Sequence, residues 1–149
     1  MTLECRFKPG VGPLPIRFGM SRGEVEQCFG FKARQFFRTQ SSAFPAHEYC
    51  HDDGTVFVYF TGSGTVEAVE FDDRARITWD NYLLTGRTSE DARRLFESKG
   101  FSSIGSLDVI VSPEVGISFW FPYLADEPER TAEAVLVARS EYFDEVKPI

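Results

Sequence analysis

The sequence predicts an α+β fold in which two tandem helix-plus-antiparallel-meander repeats form one bent sheet with helices packed on one face. A short amphipathic helix pattern occurs twice, and each copy is followed by β-rich runs that turn signals separate. A hydrophobic fraction of 42%, which includes 15 Phe, is enough to build a core. We expect one domain over 1–149, made of repeats at about 10–75 and 76–143.

Each helix pattern begins with a capping box. Ser21 precedes Glu24 by three positions, as Thr88 precedes Asp91, so each side chain can bond the other residue's backbone N–H. The apolar residues that follow at helical spacing are Val25, Cys28 and Phe29 in the first copy and Ala92, Leu95 and Phe96 in the second. The left-handed residues expected to end the helices are Gly30 and Gly100.

The strands are predicted from β-rich runs bounded by turns such as Asp52-Asp53-Gly54 and Gly62-Ser63-Gly64. The first half is expected to have strands at 46–51, 56–60, 66–71 and 76–83, and the second at 107–111, 116–121 and 134–140. Other expectations are an irregular lead-in at 8–15, an irregular segment or weak strand at 31–42, and a loose tail at 142–149.

Strand alternation predicts an aromatic sheet face turned away from the helices. If the helices cover Val56, Val58, Phe60, Ile117, Phe119 and Phe121, the opposite face carries Phe57, Tyr59 and Trp120, with Glu70, Ile110 and Leu136. The uncovered face of such a sheet is normally polar. Either these rings form a recognition surface, or the tails or the 31–44 segment cover them.

Motifs for catalysis and metal binding are weak. His47 and His51 share one face of a strand while Glu48 and Cys50 take the other, so the 47–53 stretch is interpreted as a polar strand end rather than a metal site. Cys28 falls on an apolar stripe, which favours a core thiol over a nucleophile. We therefore expect no catalytic residue, no metal and no cofactor.

The net charge and the N-terminal sequence limit the kinds of partner and the cellular compartment that we expect. A net charge of −7 disfavours nucleic acid, so the basic residues Lys32, Arg34 and Arg38 are interpreted as a solvated flank. The sequence has no apolar run of the length needed for a signal or a membrane span, and its Cys count is odd, at 3. We expect a cytoplasmic protein without a membrane partner.

The stretch 10–25, followed by a helix ending at Gly30 and by strands from Val56 to Phe71, resembles the start of small bacterial proteins, some of which are immunity proteins encoded beside polymorphic toxins. The tandem layout is similar, over about 10–140, to β-lactamase inhibitory protein and its relatives, which include small outer-membrane assembly lipoproteins. Unlike the secreted members, this protein is expected to have no leader, no lipidation cysteine and no disulfide. The resemblance implies a helix-backed sheet whose free face grips another protein, and it supplies no catalytic residue.

These observations predict a non-enzymatic bacterial protein-binding module, an immunity protein that neutralises a cognate toxin by occluding it. The acidic face suits a basic toxin. The predicted partner-binding residues are Tyr49, Phe57, Tyr59, Glu70, Asp108, Trp120, Asp126, Glu127 and Glu129. The alternative is a small-molecule-binding or enzymatic α+β domain in which the rings line a pocket, and a third is a structural subunit whose rings a second copy buries. The oligomeric state is left open.

Overall fold

A computed structural model describes residues 4–37, 45–51 and 54–144 of the chain. In this part of the chain the helices are α1 (Arg22–Phe29), α2 (Ser89–Ser98) and a 3-10 helix (Ser140–Phe143). The strands are β1 (Glu4–Lys8), β2 (Gly12–Leu14), β3 (Arg34–Phe36), β4 (Ala46–His51), β5 (Gly54–Phe60), β6 (Val66–Asp72), β7 (Arg76–Trp79), β8 (Tyr82–Leu83), β9 (Ile104–Gly105), β10 (Val109–Ser112), β11 (Ile117–Trp120) and β12 (Ala134–Ala138). The predicted α+β class is confirmed.

Both predicted capping boxes are present. The Ser21 hydroxyl accepts from the Glu24 N–H at 3.3 Å, and the Glu24 carboxylate accepts from the Ser21 N–H at 3.2 Å. The corresponding distances between Thr88 and Asp91 are 3.2 and 3.4 Å. These local bonds satisfy backbone donors that the first turn of a helix leaves free. The helices are also followed by the predicted left-handed residues, Gly30 and Gly100.

The larger sheet has eight strands in the order β3-β4-β5-β6-β12-β11-β10-β9. All of its neighbouring strands are antiparallel. The six meander strands are therefore confirmed within a few residues at each end, and the weak strand predicted in 31–42 is β3. The Gly62-Ser63-Gly64 hairpin joins β5 to β6 as predicted, whereas Asp52 and Asp53 lie outside the described residues.

A smaller four-stranded sheet, in the order β2-β1-β7-β8, differs from the prediction. The segment 8–15 is not an irregular lead-in, because β1 and β2 form an antiparallel hairpin. The segment 76–83 is two strands rather than one, joined at Asp80 and Asn81, whose φ angles are +49° and +67°. Two consecutive positive φ angles are typical of a tight hairpin turn. Because β1 pairs in parallel with β7, these two strands belong to the smaller sheet and not to the larger one.

One hydrophobic core joins buried residues of both α helices, the smaller sheet and the larger sheet. We name the face of the larger sheet that carries these residues the inner face. One row of directly paired residues on this face is Tyr49, Val56, Phe71, Val135, Phe119 and Ile110, and all are buried. In α1, Phe29 stacks on Tyr49 with the ring centroids 4.0 Å apart. In α2, Phe96 meets Phe119 edge to face at 5.8 Å.

The face predicted for Ile110 is wrong. We expected it on the face opposite Phe119, but the two residues are directly paired and Ile110 is fully buried in the core. Residues paired directly across an antiparallel ladder share a face. The side that Ile110 occupies is therefore set by its register with β11, which the sequence of β10 alone does not show.

Candidate functional site

The opposite side of the larger sheet, which we name the outer face, is the candidate functional surface. One row of directly paired residues crosses all eight strands of the sheet. From β3 to β9 the row is Arg34, Glu48, Phe57, Glu70, Leu136, Ser118, Val111 and Ile104. The first half of the row thus contains three charged side chains and one aromatic ring, a mixture typical of neither a solvated face nor a core.

Four of the predicted partner-binding residues lie on the outer face. Phe57 and Glu70 are directly paired in the row, Tyr59 is two residues along β5, and Trp120 is two residues along β11 from the row. Phe57, Tyr59 and Glu70 are half-buried, whereas Trp120 is 40% exposed. Their predicted placement holds, and their role in binding stays a prediction.

A half-open groove of about 240 Å³ lies on this face between the strands and the 3-10 helix. Its exposed rings are Trp120 and Tyr142, which are 40% and 43% exposed. The lining residues are Glu70, Val109, Ser118, Trp120, Ala134, Leu136 and Tyr142. Tyr142 was not among the predicted site residues, because 142–149 was expected to be a loose tail. The sequence did contain a signal for this placement. Two adjacent aromatic residues, Tyr142 and Phe143, follow the last strand, which is typical of a segment that folds back on apolar surface.

Two hydrogen bonds hold carboxylates next to aromatic side chains at the groove. The Tyr59 hydroxyl donates to Glu70 Oε1 at 2.8 Å, and the Trp120 indole Nε1 donates to Asp108 Oδ2 at 3.4 Å. The first bond holds one carboxylate inside the groove, and the second places another carboxylate at the edge of the indole ring. The groove therefore combines ring surface with negative charge.

Part of the outer face is covered by the chain itself. Phe36 of β3 meets Phe57 edge to face at 5.8 Å. Phe143 of the 3-10 helix packs with Ala68, Val111 and Ala138. The predicted covering by the tails or the 31–44 segment is thus right for these two places, while 38–44 and 145–149 lie outside the described residues. Between them the groove stays accessible.

Tyr49 does not belong to this surface, which corrects its assignment as a partner-binding residue. It is fully buried on the inner face beneath Phe29. Alternation along β4 puts His47 and Tyr49 on the inner face, so a partner at the outer face cannot touch this ring without unfolding the strand.

The predicted acidic loop residues Asp126, Glu127 and Glu129 are exposed but do not line the groove. Glu127 is paired with Arg130 at 2.9 Å, and Arg130 also pairs with Glu133 at 3.2 Å. The same guanidinium lies 4.1 Å from the centroid of the Tyr123 ring. The loop thus carries its own cation, which offsets part of the negative charge expected there.

Buried polar groups lie beneath α1. The pKa of His47 is lowered from 6.5, chiefly because burial disfavours the charged ring, with a further contribution from Arg22 and an opposing one from Glu26. Burial also raises the pKa of Tyr49 to about 12, so its hydroxyl stays protonated at neutral pH. His47 Nδ1 and Tyr49 Oη make no hydrogen bond to other described residues. This cluster can lend the fold a dependence on pH.

We expect acid to destabilise the protein partly through His47. The unfolded chain protonates this ring near its ordinary pKa of 6.5, whereas the folded chain does so only at lower pH. Between its own pKa and the lowered pKa of the folded state, the unfolded state therefore binds more protons, so stability falls progressively as the pH drops from 6.5 through the folded-state pKa. Urea midpoints at about pH 7.5 and about pH 5.5 should differ less for His47→Gln than for the wild type. Equal differences in the two proteins would contradict this prediction.

Two of the three thiols, those of Cys5 and Cys28, offer little nucleophilic reactivity. Burial raises the pKa of Cys5 to about 12 and also raises the pKa of Cys28, which keeps both protonated at neutral pH. Cys50 is exposed and lies 3.5 Å from the Thr55 hydroxyl. Among the described residues, no group of three or more His, Cys, Asp or Glu side chains could hold a metal ion. In the 47–53 stretch Glu48 faces outward and is paired with Arg34 at 3.0 Å.

The comparisons with known proteins leave the resemblance to immunity proteins as a prediction. No family model matches the chain, and no curated protein or solved structure is significantly similar to it. Within 4–37, 45–51 and 54–144, neither α helix has the length and apolar character required to cross a bilayer.

Proposed function

We propose that this chain is a non-enzymatic bacterial protein-binding module, an immunity protein that neutralises a cognate toxin in the cytoplasm by occluding it. The observation that carries the proposal is the outer-face groove, where Trp120 and Tyr142 stand 40% and 43% exposed beside the carboxylate of Glu70. Large rings that combine apolar surface with a polar tip are enriched at the energetic centres of protein interfaces. A toxin seated here would lose access to its own target.

The architecture that presents this face is two helix-plus-meander repeats, about 10–75 and 76–143, joined through β6 and β12 with both helices on the inner face. Three observations support it. The strand order runs β3-β4-β5-β6 on one side of the join and β9-β10-β11-β12 on the other. The two helices carry the same capping box. Phe29 and Phe96 also contact Tyr49 and Phe119, which belong to one cross-strand row.

Charge complementarity favours a basic partner over nucleic acid. The net charge is −7, and Glu70 and Asp108 both contact rings of the proposed surface. Such carboxylates speed the encounter with a positive surface, while the buried rings supply most of the affinity. Phosphate backbones would be repelled by the same groups.

A small-molecule or enzymatic site is the second candidate, because the groove does hold a carboxylate among rings. Its volume of about 240 Å³ lies below the ~300–1,000 Å³ typical of ligand pockets. Its exposed rings leave one side open. Both features favour a protein surface seated on the groove. In the third candidate a second copy of the chain occupies the face, and a dimeric mass by light scattering would support that arrangement.

The test uses the product of the reading frame adjacent to this gene. Its C-terminal domain is expressed in a bacterial host together with this chain, and growth and the dissociation constant of the purified pair are measured. We expect wild-type protein to restore growth and Trp120→Ala to weaken binding by about 30-fold, the effect of losing an interface hot spot of about 2 kcal/mol. Tyr82→Ala, a ring change on β8 of the smaller sheet, is the matched control and should bind normally. A harmless neighbour, or full protection by Trp120→Ala, would overturn the proposal.

A further inference from the structure

We propose that a groove on the exposed side of the smaller sheet binds a small phosphate monoester, whose phosphate group is held by Arg6 and Lys8. This sheet groove shares no lining residue with the outer-face groove, so its occupancy does not depend on the proposed function. Three observations carry the proposal: the placement of the two cations, the local excess of positive charge and the size of the sheet groove.

The period of β1 places Arg6 and Lys8 next to each other on the exposed side of the smaller sheet. They alternate along the strand with two residues that are buried in the core. Arg6 is directly paired with Leu14 of β2 on one side and with Thr78 of β7 on the other. Residues two apart on a strand are separated by about 7 Å. Both long side chains can therefore reach one anion in the sheet groove.

The sheet groove is positively charged, although the net charge of the chain is −7. Within 4–37, 45–51 and 54–144, no carboxylate forms an ion pair with Arg6 or Lys8. Asp80 also lines the sheet groove, but its carboxylate is paired with Lys99 at 2.6 Å. Two neighbouring cations without a counter-charge repel each other. A bound anion would replace this repulsion with attraction to both.

The hydrogen-bond donors of the sheet groove suit a phosphate group. The guanidinium of Arg6 can donate two parallel hydrogen bonds to phosphate oxygens, and the ammonium of Lys8 adds a point charge. The Thr78 hydroxyl and the Asn81 amide are further donors in the lining. A phosphate monoester carries about −1.5 to −2 charges at neutral pH. This charge matches two cations better than that of a single carboxylate does.

The size of the sheet groove leaves room for the organic part of such a ligand. Its volume is about 380 Å³, which lies within the ~300–1,000 Å³ typical of ligand pockets. Leu14 and Phe7 contribute apolar atoms to the lining beside the two cations. A monoester with an apolar group can therefore make contacts that inorganic phosphate cannot make.

The experiment titrates the full chain with phenyl phosphate, inorganic phosphate and the dicarboxylate succinate at constant ionic strength. The readout is the NMR signal of each backbone amide and of each indole N–H. We expect phenyl phosphate to shift the amide signals of Arg6, Lys8 and Asn81 saturably in the millimolar range, and succinate to bind about tenfold more weakly. Inorganic phosphate should bind more weakly than phenyl phosphate. The indole of Trp120, which lines the outer-face groove, is the internal control and should not respond.

Variants locate the cations that are responsible. Arg6→Gln and Lys8→Gln should each weaken the binding of phenyl phosphate about tenfold. Arg76→Gln is the matched control, because Arg76 is an exposed cation of the same sheet that is paired with Glu4 at 3.0 Å and lies outside the sheet groove. It removes the same charge and should leave binding unchanged. The three substituted side chains are exposed, and an unchanged backbone spectrum away from the substitution checks the fold of each variant.

Three results would overturn the phosphate monoester site. Equal binding of phenyl phosphate and succinate would show attraction to any dianion, and equal binding of phenyl phosphate and inorganic phosphate would show an adventitious ion only. An equal loss of binding in Arg6→Gln and Arg76→Gln would show a general effect of charge. The immunity function is tested separately, because Arg6→Gln should protect against the toxin as the wild type does and Trp120→Ala should bind phenyl phosphate normally.

Discussion

Phe119→Ala should lower the free energy of unfolding by about 3–5 kcal/mol. The side chain is fully buried on the inner face, meets Phe96 of α2 at 5.8 Å and stacks with Phe121 at 6.4 Å. Its removal takes apolar surface out of the core and leaves a cavity between sheet and helix that rigid strands cannot close. Urea unfolding followed by circular dichroism measures the change.

Trp120→Ala is the control, because Trp120 is the next residue of the same strand and a larger side chain. It points to the outer face and is 40% exposed, so its truncation should cost much less stability than that of Phe119. An equal loss for the two variants would mean that the two faces of β11 are not distinct. The proposed binding surface depends on that distinction.

Gly116→Ala should destabilise the fold for two reasons, backbone strain and steric overlap. Gly116 precedes β11 with φ of +89°, a conformation that costs an L side chain about 1–2 kcal/mol. A methyl group here would also overlap the carbonyl oxygen of Ala138 in β12. The backbone cannot move away easily, because the Ala138 N–H donates to the Gly116 carbonyl at 2.9 Å. Overpacking of this kind adds about 1–3 kcal/mol.

Gly64→Ala separates the free-energy cost of backbone strain from the cost of steric overlap. Gly64 lies in the hairpin between β5 and β6 with a similar φ of +84°, but an added methyl group would meet open space. Its loss of stability should therefore reflect backbone strain alone, about 1–2 kcal/mol. If Gly116→Ala were no worse than Gly64→Ala in the same urea experiment, the close approach of β12 to residue 116 would be refuted.

Stability and binding should separate along β11. Phe119 contacts a helix, whereas Trp120 lines the groove. We therefore expect truncation of Phe119 to lower the stability of the protein strongly, and truncation of Trp120 to leave a stable protein that binds its partner poorly. Neighbouring residues with opposite roles follow from the two-residue period of a strand.

The sequence alone determined the features that depend on near neighbours. Ser21 and Thr88 start the helices because their bonding partners are three residues away. Strand positions such as Phe57 and Trp120 were predictable because alternating residues point to opposite faces whatever the partner strand.

The tertiary structure decided everything that depends on distant pairing. The segment Glu4–Lys8 is a strand because it pairs in parallel with β7. Ile110 lies in the core because it is directly paired with Phe119 of β11. The return of the chain after β12 brought Tyr142 to the groove. The position of α1 decided which face of β4 is covered, and Tyr49 therefore lies buried beneath Phe29. The physical reason is that a ladder bond or a ring contact between residues far apart in the chain leaves no trace in the local pattern of either one.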